Sequence, residues 1–98
     1  MDGSYLAVPA DFFLGEAKFA AGDFAAAEQS YARVLQSPQG KEYVRDARYG
    51  LAWCAFRSKR YDDAIKRIDD FLRRHGDDPV AAELRYLAGE SHLSLIHI

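Results

Sequence analysis

The tetrapeptides Phe12-Phe13-Leu14-Gly15, Tyr49-Gly50-Leu51-Ala52 and Tyr86-Leu87-Ala88-Gly89 start at positions 12, 49 and 86, a fixed interval of 37 residues. A period between about 20 and 50 residues constrains a chain more than any local pattern, because each unit must then be one supersecondary element stacked on its copies. The interval extends beyond these tetrapeptides. Phe19 falls on Phe56, Phe24 on Tyr61, Ala27 on Ala64, Tyr31 on Ile68, Val34 on Phe71 and Leu35 on Leu72.

Each unit reads as two helices. Tyr61, Ala64, Ile65, Ile68, Phe71 and Leu72 recur at three-and-four spacing, which builds one apolar stripe. On the opposite side Asp62 precedes Lys66, Asp63 Arg67, Asp69 Arg73 and Asp70 Arg74 by four residues. Such pairs each give a helix surface about 0.2–0.5 kcal/mol, so these acids belong to a solvated face rather than to a catalytic or metal site. Gly22-Asp23, Ser37-Pro38-Gln39-Gly40 and Gly76-Asp77-Asp78-Pro79 punctuate the pattern, with Asp78 placed as N-cap and Pro79 at the first helical position. The spacing predicts five helices, over residues 9–21, 24–37, 41–58, 61–75 and 79 onward, after a lead-in of residues 1–8. No segment alternates as a strand would, so the fold class is all-α, an array of stacked antiparallel hairpins. Repeat one covers about residues 9–40, repeat two about 41–78, and residues 79–92 supply the first helix of a third.

Small residues recur with the period. Gly15, Ala52 and Gly89 share one point in the first helix of each unit, and Ala27 and Ala64 one point in the second, so the helices of a pair are expected to approach closely there. Phe24 and Tyr61 are expected to wedge each hairpin from its turn.

Composition narrows the function classes. Ninety-eight residues hold one small domain and exclude a multi-domain enzyme with a large cofactor cleft. A formal charge of −2 gives no basic footprint for nucleic acid. No apolar run approaches the roughly 18 residues that span a bilayer, and the acidic, Pro-interrupted start shows no export signal. Cys54 is the single cysteine and forms no internal disulfide. Beside Trp53 on a predicted helix, it reads as a small buried apolar residue rather than a nucleophile. His75 lies at a helix end, where a cation suits the dipole, and His92 has no His or Cys at metal spacing. No phosphate loop and no Ser-His-Asp set can be assembled, so no cofactor and no metal is called for. The last six residues, Leu93-Ser94-Leu95-Ile96-His97-Ile98, resemble the frame translation of a transposon end used in sequencing-library preparation. On that expectation residues 93–98, including His97, are not native, and the chain is a fragment of a longer protein.

Leu14-Gly15, Phe19, Gly22-Asp23-Phe24, Ala27, Tyr31 and Val34-Leu35 resemble the tetratricopeptide repeat, and Leu51-Ala52, Phe56, Lys59-Arg60-Tyr61, Ala64, Ile68 and Phe71-Leu72 form a second copy. The copy departs at Ala52 and Lys59, where the pattern prefers Gly, and the period is longer than the usual length of about 34. That longer spacing and the stretch from Asp77 to Glu90 resemble bacterial cell-envelope repeat proteins, of the kinds that coordinate Tol-Pal or assemble outer-membrane barrels, which implies the periplasm or cell envelope.

The resemblance implies an α-α superhelix, a non-catalytic scaffold whose first helices line a concave groove for a peptide or partner helix. Carried over by repeat position, the groove residues are Glu16, Tyr49, Trp53, Arg57, Tyr86 and Glu90, with Phe12, Phe19, Asp46, Phe56 and Glu83 beside them. Phe12, Phe19 and Phe56 suit inter-repeat packing. Trp53, whose repeat equivalents are Glu16 and Glu90, is the best single anchor, and Arg57 has the chemistry to hold a carboxylate. A carboxylate-tail clamp is not expected, since the chain has no Asn and sets Glu16, Trp53 and Glu90 at one clamp column. An acidic groove sooner suits a basic or apolar ligand. Two other classes stay open: a structural spacer, and a small enzyme using Cys54. Two hairpins and a lone fifth helix fall short of three repeats, so marginal folding or self-association through the last helix is expected.

Overall fold

Two tight turns built alike set the architecture. At the first, Gly22 takes φ 82° while its N–H donates to Phe19 O and the Asp23 N–H to Lys18 O, both at 2.9 Å. At the second, Lys59 takes φ 63° while its N–H donates to Phe56 O at 3.0 Å and the Arg60 N–H to Ala55 O at 2.9 Å. This left-handed ending satisfies the last carbonyls of a helix and reverses the chain. The aromatic wedge appears at both turns: the rings of Phe19 and Phe24 meet edge-on at 5.2 Å, and those of Phe56 and Tyr61 at 5.9 Å.

The computed structural model describes residues 4–38 and 40–96. Its helices are α1 (Ser4–Ala20), α2 (Phe24–Gln36), α3 (Lys41–Arg57), α4 (Tyr61–Arg74) and α5 (Ala81–Ile96). The connections are short, so successive helices run antiparallel, each packing on the next, and α1 also touches α3. The described residues contain no strand, and the array measures 53 × 29 × 18 Å.

The core repeats with the sequence. One cluster gathers Tyr31, Val34, Ala47, Leu51 and Cys54 with Phe12, Phe19, Leu35 and Tyr43 around it. The other gathers Ile68, Phe71 and Leu84 with Tyr49, Phe56, Leu72, Val80 and Ala88. Members correspond at the 37-residue interval, Tyr31 to Ile68, Val34 to Phe71, Ala47 to Leu84 and Leu51 to Ala88. Cys54 corresponds to Ser91, which is also fully buried and donates its hydroxyl to Leu87 O at 2.8 Å.

The close approach expected at the small residues is made by a ring rather than by two backbones. A Cβ at Gly15 would lie 2.8 Å from the Tyr31 ring, and one at Gly50 would lie 2.6 Å from the ring's other side. Tyr31 of α2 is therefore clasped between α1 and α3. In the second unit the same three places carry Ala52, Ile68 and Leu87. A smaller side chain there sits between larger neighbours, so volume is conserved while its distribution changes. At Gly89 the expectation fails, because nothing lies within 4 Å of a Cβ built there. Gly89 is exposed, and no helix packs on that face among the described residues.

Helix boundaries depart from the sequence reading at two starts. Residues 4–8 are not a lead-in, since α1 begins at Ser4 and contains Pro9. The ring removes only the bond to the Tyr5 carbonyl near the helix start, and Val8, 4% exposed, seats that first part of α1 in the core. Residues 1–3 of the lead-in lie outside the described residues. Asp78 caps as expected, its Oδ1 accepting from Val80 N at 3.0 Å, but a single turn closed by Ala81 N to Asp78 O precedes α5, which starts at Ala81 rather than Pro79. His97 and Ile98 also lie outside the described residues. His75 ends α4 with its ring 4.8 Å from that of Phe71 and its Nε2 buried without a hydrogen-bond partner, so its ring is packed against the core.

Two of the four expected acid–base pairs on α4 close, Asp63 with Arg67 at 3.2 Å and Asp70 with Arg74 at 3.0 Å. Arg60 and Arg67 also reach Glu28 on α2, and Arg48 on α3 reaches Asp70 at 3.8 Å, so these charges tie neighbouring helices together. Arg45 on α3 grips both oxygens of Asp78, which fixes the loop before α5.

Candidate functional site

Where α1 and α3 lie side by side over α2 they leave a pocket of about 310 Å³. Glu16 and Phe19 form the α1 wall, Tyr49, Gly50, Trp53 and Arg57 the α3 wall, and Tyr31 the floor. The repeat creates it: two first helices flank a second helix whose ring is seated between two glycines. Four of the expected groove residues, Glu16, Tyr49, Trp53 and Arg57, are thus brought together.

The walls are held by hydroxyl–carboxylate bonds. Tyr31 OH donates to Glu16 Oε1 at 2.5 Å. Tyr49 OH donates at 2.5 Å, and Trp53 Nε1 at 3.0 Å, to one oxygen of Glu83, which reaches across from α5. Burial, then the bond to Glu16, pushes the Tyr31 hydroxyl far above the ordinary phenol range. Burial, then the bond to Glu83, raises that of Tyr49 as well. Both phenols are therefore protonated, and donate, at neutral pH.

Arg57 is held differently. Its guanidinium carbon lies 5.1 Å from the centre of the Phe24 ring and 5.9 Å from that of Phe19. Planar cations are attracted to such faces. Phe19 thereby serves both the hairpin wedge and the pocket wall.

The remaining expected residues lie elsewhere. Tyr86 and Glu90 are on α5 and do not line the pocket, and Tyr86 is 66% exposed. They are the repeat equivalents of Tyr49 and Trp53, so a matching pocket around them would need a helix beyond α5. Asp46 pairs with Arg45 beside it, while Phe12 packs on Tyr31 at 6.1 Å and Tyr43 at 5.2 Å. Phe56 packs edge-on against Trp53 at 5.8 Å. Sequence reasoning missed the floor, Tyr31 and Gly50, and the brace, Glu83, which stood among the groove residues with no bonding role. The signal for the floor was present in Gly50, a second glycine one turn into the same ring contact.

Cys54 is fully buried, and burial first, then the field of Glu28, pushes its thiol up to about 12. It is a thiol at neutral pH and lies outside the pocket wall. Among the described residues no three His, Cys, Asp or Glu side chains group as a metal site, and no helix is long and apolar enough to cross a membrane.

Comparison with known proteins agrees with this geometry. The family model described as tetratricopeptide repeat matches residues 18–86, from the last turn of α1 into α5. No curated protein and no solved structure matches the chain. The match spans more than half of the sequence, with the latter part of the first repeat copy and the whole of the second, and the chain belongs to the tetratricopeptide repeat family.

Proposed function

We propose that the pocket between α1 and α3 is the docking site through which this chain acts as a protein-interaction scaffold, receiving a peptide or one edge of a partner helix. Tetratricopeptide repeats mediate protein–protein interaction, and the observation that supports this site within the family is the bracing of two aromatic side chains of its α3 wall. Glu83 holds Tyr49 and Trp53 in one pose before any ligand arrives. Aromatic side chains fixed in advance offer contact area with little ordering left to do on binding.

Trp53 is the only tryptophan of the chain, so its emission reports the state of the pocket. Selecting a phage-displayed library of random peptides on the immobilised chain tests the proposal. Peptides that enrich on the wild type are expected to shift Trp53 emission, and to lose at least tenfold in affinity on Tyr49→Ala, about the loss typical of a buried interface aromatic. A spacer would enrich nothing, and a site elsewhere would enrich peptides indifferent to both readouts.

A further inference from the structure

The carboxylates near the pocket are engaged, and its arginine is not. Glu16 accepts from Tyr31, and Glu83 accepts from both Tyr49 and Trp53. Of nine arginines in the chain, Arg33, Arg45, Arg48, Arg60, Arg67, Arg73 and Arg74 all sit in ion pairs, which leaves Arg57 and Arg85 without one among the described residues. Arg57 is the one that lines the pocket. None of its N–H groups meets a protein acceptor among the described residues, and the rings of Phe24 and Phe19 hold its guanidinium in place. An arginine has five donors in a planar fork that matches a carboxylate. The two rings attract the guanidinium without using its N–H groups, so a carboxylate arriving at Arg57 meets donors that no protein acceptor among the described residues occupies.

Building on the docking reading above, we infer that the occupant of the pocket is a peptide segment in which an apolar side chain lies over Tyr31 and an adjacent Asp or Glu side chain pairs with Arg57. The apolar part follows from the aromatic walls of Phe19, Trp53 and Tyr49. The acidic part follows from Arg57, the one basic residue lining the pocket, which has no ion pair among the described residues. This departs from the preference that counting Glu16 and Glu90 along the sequence implies, because Glu90 is not in the pocket and Glu16 turns one oxygen to the Tyr31 hydroxyl. The source of the carboxylate is a side chain rather than a chain terminus. The pocket offers one fork and no second basic group to hold both a terminal carboxylate and the residue beside it.

The peptides enriched from the phage library, resynthesised with acetylated and amidated ends, provide the test. The expected pool pairs an apolar residue with a neighbouring Asp or Glu. Its best member should weaken roughly three- to tenfold on Arg57→Gln, less on Arg57→Lys, and equally when its own acid is changed to the amide, the range for a partly exposed bidentate pair. Selection on Arg57→Glu should move the pool toward Lys and Arg. Circular-dichroism melts of each variant establish that the array still folds. Peptides that depend on Trp53 but show no acidic enrichment and no response to Arg57→Gln overturn the inference while leaving the pocket as the docking site. Peptides that need a free terminal carboxylate overturn the choice of a side chain. No enrichment, or binding indifferent to both Trp53→Ala and Arg57→Gln, overturns the inference and the docking reading together.

Discussion

Lys59 holds, at φ 63°, the left-handed conformation that Gly22 holds at φ 82° one repeat earlier. The turn requires it in both places, since the same pair of backbone bonds closes each helix end. A side chain in that region clashes with its own backbone, and glycine does not. Lys59→Gly is therefore expected to stabilise the array by about 0.5–1 kcal/mol, and Gly22→Ala to destabilise it by about 1 kcal/mol, measured by urea unfolding. A loss of stability in Lys59→Gly would mean that the lysine makes a compensating contact.

The Tyr31 ring has no room to yield, with Gly15 on one side and Gly50 on the other. Gly50→Ala puts a methyl group 2.6 Å from the ring and is expected to cost about 1–3 kcal/mol, as overpacking does. Tyr31→Ile, which copies the second repeat, should relieve that strain, so the double variant loses less than the sum of the singles. Additive losses in a double-mutant cycle would contradict the clasp.

Arg45 and the Val80 N–H hold the Asp78 carboxyl well below its usual range, down to about 2. A carboxylate depressed in the folded state contributes stability that is complete above its unfolded pKa of about 3.9 and disappears as pH falls through the folded value. The melting temperature should therefore fall between about pH 4 and pH 2. In Asp78→Asn that part of the pH dependence should flatten, and a profile identical to the wild type would remove Asp78 from the account.

Cys54 should resist thiol reagents at pH 8 in the folded chain and react at once in denaturant, because its thiol is buried and raised to about 12. Cys54→Ser is expected to cost less than about 1.5 kcal/mol. The equivalent Ser91 is buried too and returns its hydroxyl to the carbonyl one turn back, a bond open to a serine at position 54 toward Gly50 O. Rapid labelling of the native protein would show that α3 opens locally.

The outer face of α5 exposes Tyr86 beside the open Gly89, and Leu93 and Ile96, among the residues expected not to be native, extend that face in this chain. Apolar residues aligned in this way on solvent promote association. Sedimentation should show a weight-average mass that rises with concentration, and Tyr86→Lys should suppress the rise. A concentration-independent monomer would oppose it.

The helices, the hairpin turns and the repeated core were legible because each is a local or periodic matter. Gly22, Asp23, Asp78 and the stripe through Tyr61, Ile68 and Phe71 act within a few residues of themselves. The pocket was legible in part. Glu16, Tyr49, Trp53 and Arg57 could be placed by repeat position, but the Tyr31 floor depends on two glycines from different helices meeting one ring. Glu83 escaped because its bonds cross from α5 to α3, a register no interval in the sequence encodes. Tyr86 and Glu90, carried over by repeat position, lie outside the pocket, because repeat position does not say whether a helix stands on each side. Pro9 misplaced the start of α1, since its cost is small near a helix end and the anchoring of Val8 outweighs it.

One oxygen of Glu83 restrains both the indole of Trp53 and the phenol of Tyr49, so the docking of α5 and the shape of the pocket are thermodynamically coupled. A ligand that requires those rings in this pose also clamps the C-terminal helix against its neighbours. On the docking reading proposed above, whatever loosens that helix is by reciprocity expected to raise the dissociation constant at the pocket. The end of the array is thereby wired to its middle through a single carboxylate.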